Sequence, residues 1–211
     1  RTKNTKVVYR SPEKVVEEML MIKEIAEEPL IFYIMDLNFT ADKNKAVQLL
    51  NEMIKQKLNT SWYCMSNIET LYNEDGLISK MKEAGCFKIA FGVESTNNAS
   101  LEKMNKVTNN SMLKFEKVIN VLEKTANAGI LNQGFYIIGF DWETEESIWN
   151  DSLHLVNLPL HQLNVGIFTP IPLSPFYNKY KSYNMETDLE KHDRNTLIFQ
   201  HPNGITHPKI K

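Results

Sequence analysis

Five apolar runs, 30–35, 60–65, 87–93, 130–140 and 162–169, alternate with segments of helical periodicity along this chain, and most of them break off into polar residues. Short apolar runs flanked by helical patterns mark parallel strands covered on both faces, and their alternation specifies right-handed βαβ units. Ligands of such sheets gather at the carboxyl ends of the strands. The clearest case is Lys88-Ile89-Ala90-Phe91-Gly92-Val93-Glu94-Ser95, an apolar strand that delivers a carboxylate and a hydroxyl to its end. The competing reading is that Glu94 caps the helix expected from about Asn97.

Local signals place the other elements. Ser11 is an N-cap and Pro12 a first helical residue, with an apolar stripe of Val15, Val16, Met19, Leu20, Ile22 and Ile25 ending before Pro29. The strand Leu30 to Met35 runs into Asp36-Leu37-Asn38-Phe39-Thr40, and period-two alternation puts Phe32, Ile34, Asp36 and Asn38 on one side. A helix from Asp42 to about Lys57 follows, with Ala46, Leu49, Leu50, Met53 and Ile54 inward. The strand Thr60 to Met65 ends in Ser66-Asn67, and the helix Asp75 to Ala84 stops at Gly85. Beyond Val93, helices are expected at Ala99 to Met104 and Ser111 to Ala128, the second closed by Gly129. The strand Ile130 to Phe140 has the tail Gly139-Phe140-Asp141-Trp142-Glu143-Thr144, with Thr144 the N-cap of a helix to Leu158. After Gln162 to Thr169 comes a proline-rich turn, and from Lys179 onward the periodicity fades.

Composition excludes more than it selects. A net charge of -2 over 211 residues gives no basic field for nucleic acid, and the longest apolar candidate, Pro29 to Met35, is far too short to span a membrane. The expected setting is the cytoplasm. The chain opens on Arg1 without an initiator methionine, signal peptide or lipidation motif, which suggests a piece of something longer. Two cysteines, Cys64 and Cys86, in strand-like contexts build neither a disulfide framework nor a zinc motif. His192, His201 and His207 fit no ligand spacing and read as a solvated or substrate-proximal loop. Tyr33, Trp62, Tyr63 and Phe91 read as core rather than as a substrate box.

Four segments follow one another as they do in radical S-adenosylmethionine (SAM) enzymes: the stretch from Tyr9 to Glu18, Asp36-Leu37-Asn38-Phe39-Thr40, Phe91-Gly92-Val93-Glu94-Ser95 and Ile138-Gly139-Phe140-Asp141. The chain resembles the cobalamin-associated branch of that superfamily, which includes hopanoid methylases, bacteriochlorophyll ring cyclases and other modifiers of lipids and tetrapyrroles. Thr169 to Tyr177 looks like the branch's Thr-Pro-x-Pro-Gly-Thr-Pro segment. His192-Asp193 with Phe199-Gln200-His201-Pro202 looks like its C-terminal Tyr-Asp-x-x-His-x-x-Phe-x-Pro element.

The resemblance implies an α/β fold, a partial (β/α)6 TIM-like barrel whose first strand and Cys-x3-Cys-x2-Cys loop would precede Arg1. Residues 1–178 would be the barrel and 179–211 an irregular C-terminal extension. The implied cofactors are SAM, a 4Fe-4S cluster on the upstream cysteines and, where an upstream domain is present, cobalamin. The implied partners are a small-molecule or lipid-like substrate and an electron donor such as ferredoxin or flavodoxin. Carried over residue by residue, Asp36 and Asn38 would meet the SAM amino group, Ser66 and Asn67 would stand where many relatives have an arginine, Glu94 and Ser95 would approach the ribose and amino-acid end, and Gly139 and Asp141 would lie near adenine. Asp36 and Asn38 otherwise read as a solvated strand-end turn, and Trp142 either packs as core or lines the pocket. Two other classes stay open: a catalytically silent barrel, and an unrelated phosphate-binding barrel enzyme, which the lack of a glycine-rich loop before a helix disfavours.

Overall fold

The computed structural model describes residues 7–27, 29–104, 107–108, 111–112, 114–174 and 176–206. Pro175 and His207 of the motifs above lie outside them. The helices are α1 (Pro12–Ile25), α2 (Lys43–Lys55), α3 (Ile68–Leu71), α4 (Asp75–Glu83), α5 (Asn98–Lys103), α6 (Phe115–Asn127), α7 (Glu145–Leu155) and α8 (Tyr177–Tyr180). The strands are β1 (Ile31–Ile34), β2 (Ser61–Ser66), β3 (Cys86–Glu94), β4 (Val107–Thr108), β5 (Ser111–Met112), β6 (Leu131–Ile138) and β7 (Gln162–Ile167). The order β1-β2-β3-β6-β7 is that of an open α/β sheet, and β4 pairs with β5 alone. Parallel register runs Ile31↔Ser61 to Ile34↔Cys64 across β1 and β2, then Trp62↔Cys86 and, after an irregularity, Tyr63↔Lys88 to Ser66↔Phe91 across β2 and β3.

Local chemistry sets the helix starts. Ser11 accepts from the Lys14 N–H with proline in the first turn, and Asp42 accepts from the Lys45 N–H. Thr144 and Ser147 form a reciprocal capping box. One expected start fails. Ser111 does not open a helix: Ser111 and Met112 pair antiparallel with Val107 and Thr108, and α6 begins at Phe115, whose N–H donates to Asn98 Oδ1 at 2.9 Å. The stripe of α1 is also narrower than its periodicity suggests, because Val16 and Met19 are buried while Ile25 is 80% exposed.

Contacts divide the chain into two units. The first comprises Arg1–Phe91, Glu116–Gln133 and Pro159–His161. Its core holds Leu50, Met53, Trp62, Leu71, Met81 and Leu122, and Trp62 Nε1 donates to the Ala84 carbonyl at 2.7 Å. Gly85 joins α4 to β3 at φ +96, and a Cβ there would lie 2.3 Å from the Thr60 carbonyl oxygen, so no other residue fits. The second unit comprises Gly92–Phe115, Gly134–Leu158 and Gln162–Lys211. Its aromatic cluster joins Tyr180, Met185, Ile198 and Phe199 with Phe168, Phe176, Tyr177 and Tyr183. The irregular C-terminal segment is therefore packed rather than loose: Ile167 N–H donates to the Arg194 carbonyl at 2.7 Å and Gln200 N–H to the Tyr183 carbonyl at 2.7 Å.

Candidate functional site

In the first unit, the chain leaving β1 turns at once. Phe39 N–H donates to the Met65 carbonyl at 2.9 Å and ties this turn to the end of β2. Asn38 Oδ1 accepts from the Thr40 hydroxyl and the Asn67 N–H, both at 3.2 Å. Thr40 Oγ1 lies 2.5 Å from both Ser66 Oγ and Thr70 Oγ1, and Thr70 donates to the Asn67 carbonyl at 2.9 Å. Ser66, Asn38 and Asn67 are thus members of one knot, with Ser66 only 2% exposed. Asp36 stands outside it and is exposed. The knot fixes the turn, and Asp36 presents the negative charge.

In the second unit, β3 ends in a strained turn. Glu94 has φ +65 and the Ser95 N–H donates back to the Val93 carbonyl at 2.8 Å, a γ-turn of positive φ. Helix capping does not account for Glu94, because Asn97 Oδ1 takes the first N–H groups of α5, from Ala99 at 2.9 Å and Ser100 at 3.3 Å. Ser95 is fully buried and its hydroxyl accepts from the Asn97 N–H at 3.1 Å. The hydroxyl sets the helix start while the turn carries Glu94.

The tail of β6 is closed by a residue that the strand pattern alone did not single out. Glu143, 3% exposed, accepts the N–H groups of Gly139 at 2.6 Å and Phe140 at 2.9 Å through one oxygen. Burial drives its carboxyl up to about 7, outweighing those donors, with the nearby Asp151 adding to the rise. Its sequence signal is an acid four residues after a strand-end glycine, and Gly139 itself sits at φ +89. Asp151, raised by burial in turn, accepts from Tyr136 Oη at 3.3 Å, and its carbonyl accepts from the Thr96 hydroxyl at 3.3 Å.

Asp141 is held by the C-terminal segment. Lys179 Nζ lies 2.6 Å from its carboxylate, and the hydroxyls of Tyr180 and Tyr183 donate to it at 2.7 and 3.1 Å. Burial pushes this carboxyl up, but the three partners together hold it below the usual carboxylate range. Trp142 stacks on buried Phe140 at 4.5 Å and donates to Ser100 Oγ at 3.2 Å, so it packs with one face covered. Lys103 and Lys179 stand over its ring at 5.5 and 5.8 Å.

His201 corrects an expectation. It is 5% exposed rather than solvated, with Nε2 2.8 Å from the Phe140 carbonyl and Nδ1 accepting the Asn203 N–H at 3.2 Å. Those partners select the tautomer with the proton on Nε2. His192 is half-buried with Nε2 3.1 Å from the Glu186 carbonyl. Among the described residues, no three His, Cys, Asp or Glu side chains are grouped to hold a metal ion. Trp62 and Phe91 are core as expected, whereas Tyr33 keeps 38% exposure and stacks on Tyr63 at 4.4 Å.

The profile of the radical SAM superfamily matches residues 1–153. The chain belongs to the radical SAM superfamily. It is 26% identical over 194 residues to a bacteriochlorophyllide d C-12(1)-methyltransferase of Chlorobaculum tepidum, covering 91% of this chain and 41% of that protein. It is 23% identical over 194 residues to an anaerobic magnesium-protoporphyrin IX monomethyl ester cyclase of Rubrivivax gelatinosus, covering 87% of this chain and 34% of that protein. Among solved structures it is similar to the radical SAM methyltransferase TsrM of Kitasatospora setae with cobalamin and a 4Fe-4S cluster bound, at a TM-score of 0.70 and 18% identity over 82% of this chain and 34% of that one. The cobalamin-dependent radical SAM enzyme OxsB aligns with a TM-score of 0.59 at 16% identity over 80% of this chain and 25% of that one.

Membership of the radical SAM superfamily sets aside the unrelated phosphate-binding barrel. The open parallel sheet is the partial barrel that the motifs implied. This chain spans 34% and 41% of the length of those two curated relatives. A three-thiolate set for a 4Fe-4S cluster does not fit its own residues, since it has two cysteines and both are buried. Taken singly, Asp36 in the first unit and Glu94 in the second are carboxylates of the kind that accept from an ammonium or a sugar hydroxyl, and Gly139 in the second has a positive φ.

Proposed function

We propose that this chain is the SAM-binding barrel of an enzyme that forms a 5'-deoxyadenosyl radical from SAM by reductive cleavage at a 4Fe-4S cluster. The observation that carries the reading is the superfamily match across 1–153, which includes both acidic strand ends. The cluster's ligands would come from outside these residues, and electrons from a donor such as ferredoxin or flavodoxin. Asp36 would accept from the SAM ammonium, Glu94 from the ribose or amino-acid end, and the Gly139 backbone would face adenine. Asn38, Ser66, Asn67, Ser95 and Asp141 would line the same strand ends, where their hydrogen bonds within the protein also hold the turns. Calorimetry with SAM on the complete, reconstituted protein tests this. Asp36→Ala and Glu94→Ala should each weaken binding about tenfold, the loss of one charge-assisted hydrogen bond. Unchanged affinity in both would remove them from the site, and a complete protein with no cluster cysteines would favour the silent barrel.

For the whole protein the reading is a cobalamin-dependent methylase, or an enzyme that forms or cyclises carbon–carbon bonds, acting on an amphiphilic, lipid-like carbon skeleton. The curated relatives named above support it, since their names describe methylation or ring closure of tetrapyrroles. The strand-end aromatics support it less, because Phe39 and Phe140 are 8% and 3% exposed and serve as core. Among the described residues, no helix is long and apolar enough to cross a membrane. Mass spectrometry of lipid and pigment extracts from cells lacking the gene should show loss of a methylated, cyclised or cross-linked species. An unchanged profile beside an altered peptide or RNA would sink the substrate reading.

A further inference from the structure

The Gly139–Glu143 turn is gripped along its length by residues some 40 to 60 positions further on. Its amides have partners: Gly139 and Phe140 donate to Glu143, and Asp141 N–H donates to Tyr180 Oη at 3.2 Å. Its carbonyls have partners too. Phe140 O faces His201 Nε2 at 2.8 Å, and Asn203 Nδ2 donates to Asp141 O at 3.3 Å and Glu143 O at 2.8 Å. The Asp141 side chain is clasped by Lys179, Tyr180 and Tyr183, of which Tyr180 is fully buried. A turn that needed only to connect β6 to α7 would be closed by Glu143 and the Thr144 cap alone. The second set of bonds, drawn from Tyr180, His201 and Asn203, removes the remaining freedom of the backbone next to a glycine with positive φ.

We infer that Tyr180, His201 and Asn203 are positioning residues for SAM, acting by locking the Gly139–Glu143 turn in the form that meets the ligand. This rests on the reading above that the turn faces adenine. None of these residues needs to touch SAM. The C-terminal segment then belongs functionally to the barrel's binding face, and ordering it is a precondition for tight SAM binding rather than a consequence of substrate recognition.

The test uses the complete protein and two readouts, amide hydrogen exchange at Gly139 and Phe140 without ligand, and SAM affinity by calorimetry. Asn203→Ala is the central variant, since Asn203 is exposed and bonds only the carbonyls of the turn, not the amides being read. Tyr180→Phe keeps the packed ring and removes only the hydroxyl. Met185→Ala thins the same aromatic cluster without touching the turn and serves as the control for general destabilisation. Exchange at Gly139 and Phe140 should quicken about tenfold in Asn203→Ala and Tyr180→Phe, with a matching loss of SAM affinity. Met185→Ala should lower the melting temperature while leaving SAM affinity within about twofold. Unchanged exchange in both hydrogen-bond variants would overturn the inference, as would faster exchange with undiminished SAM affinity. Faster exchange in a protein whose wild-type form binds no SAM would support the locking of the turn and overturn the SAM reading instead.

Discussion

Glu143 is a carboxyl whose pKa burial raises to about 7, although it is placed to accept two backbone N–H groups. Its folded pKa of about 7 exceeds its ordinary 4.5, so between those values the folded chain holds a proton that the unfolded chain has released. Stability from this group is present in full below the ordinary value and falls as pH rises through the folded one, by about 3 kcal/mol in all. Glu143→Gln keeps an acceptor for both amides and removes the titration. The drop in melting temperature between about pH 5 and pH 8 should shrink in this variant. It will not vanish, because the raised Asp151 contributes with the same sign. An unaltered drop would mean that Glu143 ionises normally. Thr40 makes a second residue-scale case: Thr40→Val leaves the buried Ser66 hydroxyl without its partner, at a cost of about 1–3 kcal/mol in chemical denaturation that Thr40→Ser should restore.

Two glycines of one helix–strand unit should respond in opposite senses. Gly85, at φ +96 with the Thr60 carbonyl 2.3 Å from any added Cβ, admits no side chain unless β2 or β3 moves. Gly85→Ala should lower stability by more than about 2 kcal/mol in urea titration. Gly76 lies in α4 with no atom within 4 Å of its would-be Cβ, so Gly76→Ala should stabilise by about 0.5–1 kcal/mol. Equal effects would show that helix propensity, not the close approach, dominates here. Gly85 was legible in the sequence for the same reason that Ser11-Pro12, Asp42 and Thr144 were: each signal acts within a turn of its own position. What was not legible depends on distant partners. α6 starts at Phe115 because Asn98, seventeen residues earlier, takes its N–H. His201 reads as a loop histidine until the Phe140 carbonyl, 61 residues before it, is brought to its ring. The acidic strand ends could be read from the chain, but the knot that occupies Ser66 and the clasp that occupies Asp141 could not.

At the scale of the whole molecule, the proposed function turns on how a 5'-deoxyadenosyl radical would be used. The barrel described here spans 34% of TsrM and 25% of OxsB, both solved with cobalamin, and both are larger than this chain by enough to hold a separate corrin-binding domain. Within the chain itself the described strand-end turns are held by hydrogen bonds from the protein's own side chains. The two functions should therefore separate physically: the complete protein is expected to retain cobalamin, and residues 1–211 alone are not. Incubating each with hydroxocobalamin and recording visible spectra after gel filtration decides the matter. Corrin that travels with the 211-residue chain would place its site inside this barrel. A complete protein that assembles its cluster, binds SAM and retains no corrin would leave radical SAM chemistry intact and exclude cobalamin as the methyl donor, turning the choice toward ring closure or another carbon–carbon bond-forming outcome.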